Sequence, residues 1–361
     1  MGGTTVFDRR IQAGPAGIPL AVRRGDGSWA ELAERTAAFG ADRFLLVTDG
    51  AAPADHLARV RAMAAAQGPC TVIDLRSAPL PDRPAPDEGT GGRTVVIALG
   101  GERACAVAAD LRLPTTLAAA VGPALALRCP PPEARELPDR TAPGLVWVRG
   151  DVLADRPAAE TRAGVIGVIR HVLAVCPAQY EALAEALGPE ASYSERTVAG
   201  FLAVCADARA ALVCFDPFET GPALALGYGR RLGTLVRRLA GHPFAPGDAE
   251  ALGLLLAARL AVRLGLLDAA GAWAHRELVA RNGSVTGLPG GTDVAALADA
   301  LGAALAPGPG LLLLAGLGRP SCVDGRLLTP VEAAPVRAAV EGLGPVGVPS
   351  GRVAELLPVT G

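Results

Sequence analysis

Short apolar runs alternate with amphipathic stretches through the first 150 residues. Residues 18–22 are one such run, and Ser28 can cap a helix reaching residue 39 with Trp29, Leu32 and Ala33 on one side. Residues 43–48, RFLLVT, read as a buried parallel strand ending at Asp49; a helix over 53–67 then leads to a strand over 70–75. Pro, Asp and Gly crowd residues 76–93, which predicts an exposed loop. A strand over 94–99 follows and ends at Gly100 and Gly101, and PGLVWV, residues 143–148, supplies the last strand. Repeated βα units of this kind predict a doubly wound, Rossmann-like parallel sheet.

Beyond residue 150 helical periodicity, about 3.6, takes over almost to the end. Helices are expected over 158–175, 177–187, 194–214, 249–267 and 293–305, with no strand until 311–314. The chain therefore divides into an α/β nucleotide-binding-type domain, residues 1–152, and a mostly α-helical domain, residues 153–361. The last long helix must stop at Pro307, Gly308, Pro309 and Gly310. The most apolar stretch, 249–267, carries Arg259 and Arg263 one turn apart, which predicts a packed core helix and not a membrane span.

Composition narrows the chemistry. A net charge of -2 over 361 residues excludes a nucleic-acid binder, and two cores fit in that length. All the basic charge is arginine, since the chain has no lysine; Schiff-base and lysine-base chemistry are excluded. Seven scattered cysteines without a C-x-x-C pair predict reduced thiols, and MGGTTVFDRR lacks an apolar signal core, so a cytoplasmic location is expected. Four histidines need placing: His171 follows Arg170 on a helix and can approach a cleft, His242 lies in a loop, and His56 and His275 fall on amphipathic helices as solvent-exposed residues.

The stretch 216–267 carries a denser pattern: Asp216, Pro217, Glu219, Gly221, Leu226, Gly229 and Gly233, then Gly247, Asp248, Ala249 and Gly253. Upstream stands LPTTL, residues 113–117. Together these residues resemble the dehydroquinate synthase family and the wider sugar phosphate cyclases. The resemblance implies their fold, homodimers, and a cleft where NAD and zinc or cobalt serve a phosphate-eliminating cyclisation. It implies site residues too. Gly100, Gly101, Thr115, Thr116 and Asp49 fall at cofactor-contacting places, but Glu102 beside the glycine turn opposes a pyrophosphate, which leaves NAD possible but doubtful. Where the family has metal ligands this chain has Gly167, Arg230 and Pro246, so no metal is expected. Thr234 replaces a histidine at a substrate-contacting place, Ala223 an arginine and Gly227 an asparagine. Arg128, Arg170 and Arg209 stand where the family has lysine and predict anion binding, while Glu219 sits at an active-site acid.

Two functions follow as expectations. In one, a repurposed enzyme of specialised metabolism performs metal-independent cyclisation or lyase chemistry on an anionic or carbonyl substrate, using Glu219, Arg230 and His171, with Arg128, Arg170, Arg209 and Thr234 on the substrate. In the other, the chain is an inactive cyclase homologue serving as scaffold or partner of a biosynthetic enzyme. The surviving framework inclines the reading toward the enzyme.

Overall fold

A hairpin that the hydrophobic pattern only half reveals opens the chain. Strand β1 (Thr4–Ala13) pairs antiparallel with β2 (Ala16–Arg24), Ile11 opposite Ile18. With Asp8, Arg9 and Arg10 in its middle, β1 has no clean alternation, as befits an edge strand. The structure, a computed structural model, describes residues 4–14, 16–50, 52–76, 92–101, 104–105, 107–108, 115–120, 143–154, 156–241, 243–245, 247–306 and 308–344, with the backbone alone for 115–120 and 154. Glu102, Arg128, His242, Pro246, the Thr115 and Thr116 side chains and most of the 76–93 segment lie outside this description.

After α1 (Ser28–Ala37) the parallel strands follow: β3 (Arg43–Thr48), α2 (Ala54–Gln67), β4 (Cys70–Asp74), β5 (Thr94–Gly100), β6 (Thr115–Ala120) and β7 (Leu145–Arg149). The seven-stranded sheet has the order β1-β2-β7-β6-β5-β3-β4, parallel except at the β1–β2 hairpin. Its two faces serve different cores. Leu145 and Trp147 of β7 join Ala21, Leu32, Leu46 and Val60 under α1 and α2, whereas Val146 and Val148 point the other way and join the core of the helical region. One sheet face is thus continuous with the helices that carry the signature residues.

Those helices are α3 (Gly150–Ala154), α4 (Ala158–Ala174), α5 (Tyr180–Ala186), α6 (Glu195–Val213), α7 (Arg230–Leu239), α8 (Asp248–Arg263), α9 (Ala269–Arg281) and α10 (Val294–Leu305). Short strands β8 (Leu311–Leu312), β9 (Leu314–Gly316), β10 (Arg319–Pro320) and β11 (Leu328–Thr329) precede α11 (Ala333–Glu341). Ser194, Asp268 and Asp293 cap α6, α9 and α10, each side chain accepting a backbone N–H at 2.7–3.2 Å; each such cap stabilises its helix by about 1 kcal/mol. Helix α8 is buried from Ala249 to Ala261 on nearly every side, as its apolar sequence predicts. Among the described residues no helix is long and apolar enough to cross a membrane.

Glycines bring α7 and α8 into backbone contact. A Cβ on Gly253 would lie 2.4 Å from the Gly229 carbonyl oxygen and 2.5 Å from Gly233 N, and one on Gly233 would lie 2.7 Å from the Ala249 carbonyl oxygen. No side chain fits between helices this close. Three framing residues of the signature are therefore explained by packing alone. Two histidines correct the sequence expectation: His56 is buried, and His275 is fully enclosed. Its Nδ1 donates to the Gly271 carbonyl at 2.7 Å, so its Nε2 accepts the Tyr228 hydroxyl at 2.9 Å. A ring on an amphipathic helix became a core histidine because Tyr228, two residues before α7, covers it.

Candidate functional site

The turn after α6 shows how the sequence builds the site. Asp216 accepts the backbone N–H groups of Thr220, Gly221 and Ala223 at 3.0, 2.7 and 2.9 Å. This carboxylate cannot do substrate chemistry as well; its place in the signature is architectural. The same turn holds Glu219 at φ 51°, a left-handed conformation that costs a non-glycine residue about 1 kcal/mol. So placed, Glu219 accepts Arg209 Nη1 from α6 at 3.0 Å, and both side chains are largely buried.

A second pair lies across the helix bundle. Arg170 of α4, only 2% exposed, donates from Nε to the Tyr228 carbonyl at 2.8 Å and from Nη2 to Glu250 of α8. Burial raises the Glu250 pKa while Arg170, Arg230 and Arg237 lower it, and the cations prevail: its carboxyl titrates below the ordinary range. His171 feels the charge of both arginines, and among the described residues its buried Nδ1 finds no partner. Burial, then the charges of Arg209 and Arg170, push its pKa down to about 3, so the ring is neutral at pH 7. Arg230 begins α7 part-buried, its charge felt by Glu250, and Thr234 is exposed one turn later.

The structure therefore brings Arg170, His171, Arg209 and Glu219 into one charged cluster, with Arg230 at its margin. It adds Glu250 and Tyr228, which sequence reasoning missed. Glu250 had one signal: an acid inside the signature stretch, between Ala249 and Gly253, at the start of an otherwise apolar helix. The anion-binding role expected of Arg170 and Arg209 meets an obstacle, because each already holds a carboxylate.

At the sheet, Asp49 occupies the glycine turn. Its carboxylate accepts Gly101 N at 3.1 and 3.0 Å and Ala104 N at 3.2 Å. Gly100 has φ 151°, and a Cβ there would lie 2.2 Å from Asp49 Oδ1. The N–H groups that a pyrophosphate would take are thus held by an acid of the chain itself.

A seven-stranded, mostly parallel sheet joined to this helix bundle is the dehydroquinate synthase-like fold of the sugar phosphate cyclases. By sequence the chain is a homologue of 2-deoxy-scyllo-inosose synthases: it is 28% identical to that of Streptomyces lividus over 364 residues, covering 90% of this chain and 93% of the relative. To that of Streptomyces fradiae it is 31% identical over 224 residues, 57% of this chain and 51% of the relative. No family model matches the chain. Among solved structures, a 2-deoxy-scyllo-inosose synthase complexed with carbaglucose-6-phosphate, NAD+ and Co2+ superposes with a TM-score of 0.76 at 18% identity, covering 93% of this chain and 99% of that one. A 2-epi-5-epi-valiolone synthase from Streptomyces hygroscopicus subsp. jinggangensis 5008, with NAD+ and Zn2+ bound, gives 0.67 at 14%, covering 90% and 96%.

These two neighbours correct the cofactor expectation. The changed ligand positions had predicted no metal and doubtful NAD, whereas fold neighbours are solved with NAD+ and with Co2+ or Zn2+. In this chain Gly167 offers no donor, Arg230 is a cation, and among the described residues no three His, Cys, Asp or Glu side chains converge to hold an ion. The described side chains do not supply such an ion's donor set.

Proposed function

We propose that this protein is a sugar phosphate cyclase homologue of specialised metabolism that does not perform the parent cyclisation and acts as a partner or scaffold for a biosynthetic enzyme, as a homodimer or in a complex with it. One observation carries this reading: Arg170 and Arg209, the described arginines expected to hold an anionic substrate, are neutralised internally by Glu250 and Glu219. A substrate phosphate would have to displace a carboxylate from a largely buried guanidinium, losing a charge-assisted bond for each one it forms. To test this, purified protein is incubated with a hexose 6-phosphate, NAD+ and Co2+ and assayed for released inorganic phosphate. No release above the protein-free control is expected, and steady multiple-turnover release would overturn the proposal.

A second reading, a repurposed enzyme, draws on His171. A neutral imidazole whose Nδ1 has no partner among the described residues, beside two arginines, is free to exchange a hydrogen bond with a bound substrate and so to orient it. In that case Glu219→Gln and His171→Gln would each abolish a turnover detectable with the wild-type protein, with its fold intact by circular dichroism.

A further inference from the structure

At the end of α8 remote from Glu250 the charges are arranged differently. Arg259 and Arg263 project one turn apart, and Arg276 of α9 faces them across a pocket of about 470 Å3. Among the described residues none of the three has an ion pair or hydrogen bond. Burial lowers the Arg259 pKa, and the charges of Arg276 and Arg263 lower it further, so the three cations repel one another. Arg259 Nη1 also lies against Gly342, where a Cβ would come within 2.7 Å, beside the end of α11. The helix termini there offer partial negative charge, which helps to hold the guanidinium but neutralises little of it.

The rest of the pocket is apolar. Leu255, Ala258, Ala272 and Leu343 line it, and Trp273 and Val262 stand at its mouth, 51% and 39% exposed. A half-exposed tryptophan beside three unneutralised arginines is an arrangement with no role in packing. It matches a ligand that is planar and apolar at one end and anionic at the other. The volume lies within the range of small-molecule pockets, roughly 300–1,000 Å3. At a rise of about 1.5 Å per residue, Arg259 and Arg263 are roughly 14 and 20 Å along α8 from Glu250, so this is not part of the signature site.

We propose that the pocket between α8, α9 and the end of α11 binds an amphipathic anion, a phosphate or carboxylate carried on a planar apolar body. Guanidinium forks from Arg259, Arg263 and Arg276 hold the anion, and Trp273 covers the ring. This assignment is independent of whether the chain turns over a substrate.

Phenyl phosphate is the probe, titrated into the full-length protein by calorimetry and by tryptophan fluorescence. Saturable binding with a Kd on the order of 1 mM or below is expected. Arg276→Gln and Arg259→Gln should each weaken it at least about tenfold, and Trp273→Leu should weaken it and remove the fluorescence change. Arg230→Gln, at the other end of the bundle, should leave it unchanged. Inorganic phosphate should bind at least about tenfold more weakly than phenyl phosphate; equal affinity would overturn the aromatic half of the assignment. Absence of binding at about 10 mM, or binding that Arg276→Gln does not alter while the variant keeps its melting temperature, would overturn the whole.

Discussion

The two ends of α8 solve the problem of charge in opposite ways. Near its start, Glu250 meets Arg170, and Glu219 meets Arg209 close by, so each of these cations has an acid. Near its end Arg259, Arg263 and Arg276 surround a pocket with none among the described residues. A buried cation needs a partner, because a lone charge out of water is costly; at the pocket Arg263 is exposed and Arg259 and Arg276 are only part-buried, so water still reaches them and they can wait for a ligand. The first end is closed upon itself and the second is open.

The largest effect should come from the contact that fixes the closed end. Gly253→Val drives a side chain into the Gly229 and Gly233 backbones and should cost about 3 kcal/mol or prevent folding, read as a fall in melting temperature or loss of soluble protein. Glu219→Gln should cost about 3 kcal/mol in urea unfolding by leaving Arg209 buried without its acid. The double replacement Arg209→Met with Glu219→Gln removes the orphaned charge and should recover most of that loss; a double variant as unstable as the single one would show that the pair itself contributes net stability.

Next in size is a pH effect from His171 and His275, both tied to the closed end. Burial lowers their pKa values to about 3 and about 4, below the ordinary 6.5. As pH falls below about 6.5 the unfolded chain takes up protons that the folded one refuses, so stability is complete above that pH and declines toward pH 4. Between pH 6.5 and 5, above the carboxylate range, each histidine should contribute a slope of up to about 1.4 kcal/mol per pH unit. Urea midpoints across that window check it, and a flat profile would refute the burial of both rings.

Glu250→Gln should cost about 2 kcal/mol: it strands Arg170, only 2% exposed, but Arg170 keeps its bond to the Tyr228 carbonyl, and the 35% exposure at position 250 lets water approach the vacated carboxylate. Smallest of all, Arg263→Gln at the open end should change stability by less than about 0.5 kcal/mol while weakening phenyl phosphate binding. A loss as large as that of Glu219→Gln would erase the contrast between the two ends.

Much of this was legible in the sequence. Apolar runs marked β2, β3, β4, β5 and β7, and helical periodicity marked the region after residue 150; β6 was missed because LPTTL was read as a cofactor motif, and the signature glycines were seen as a pattern without the α7–α8 crossing they serve. The edge strand β1 was hidden because Asp8, Arg9 and Arg10 break its alternation. For the site, sequence located Arg170, His171, Arg209 and Glu219 but not their pairing. Arg170 and Glu250 are 80 residues apart, and only the crossing of α4 and α8 joins them. His275 misled for a similar reason: helical periodicity places a residue on a face but does not say that Tyr228 will cover it. Asp49 was read as a cofactor contact, and what it touches is the chain's own glycine turn.

Calorimetric titration of the purified protein with carbaglucose-6-phosphate, with NAD+ and Co2+ present, tests most directly whether the closed end is closed. Internal pairing of Arg170 and Arg209 predicts no saturable binding below about 1 mM. A Kd in the micromolar range, lost in Arg170→Met, would contradict it.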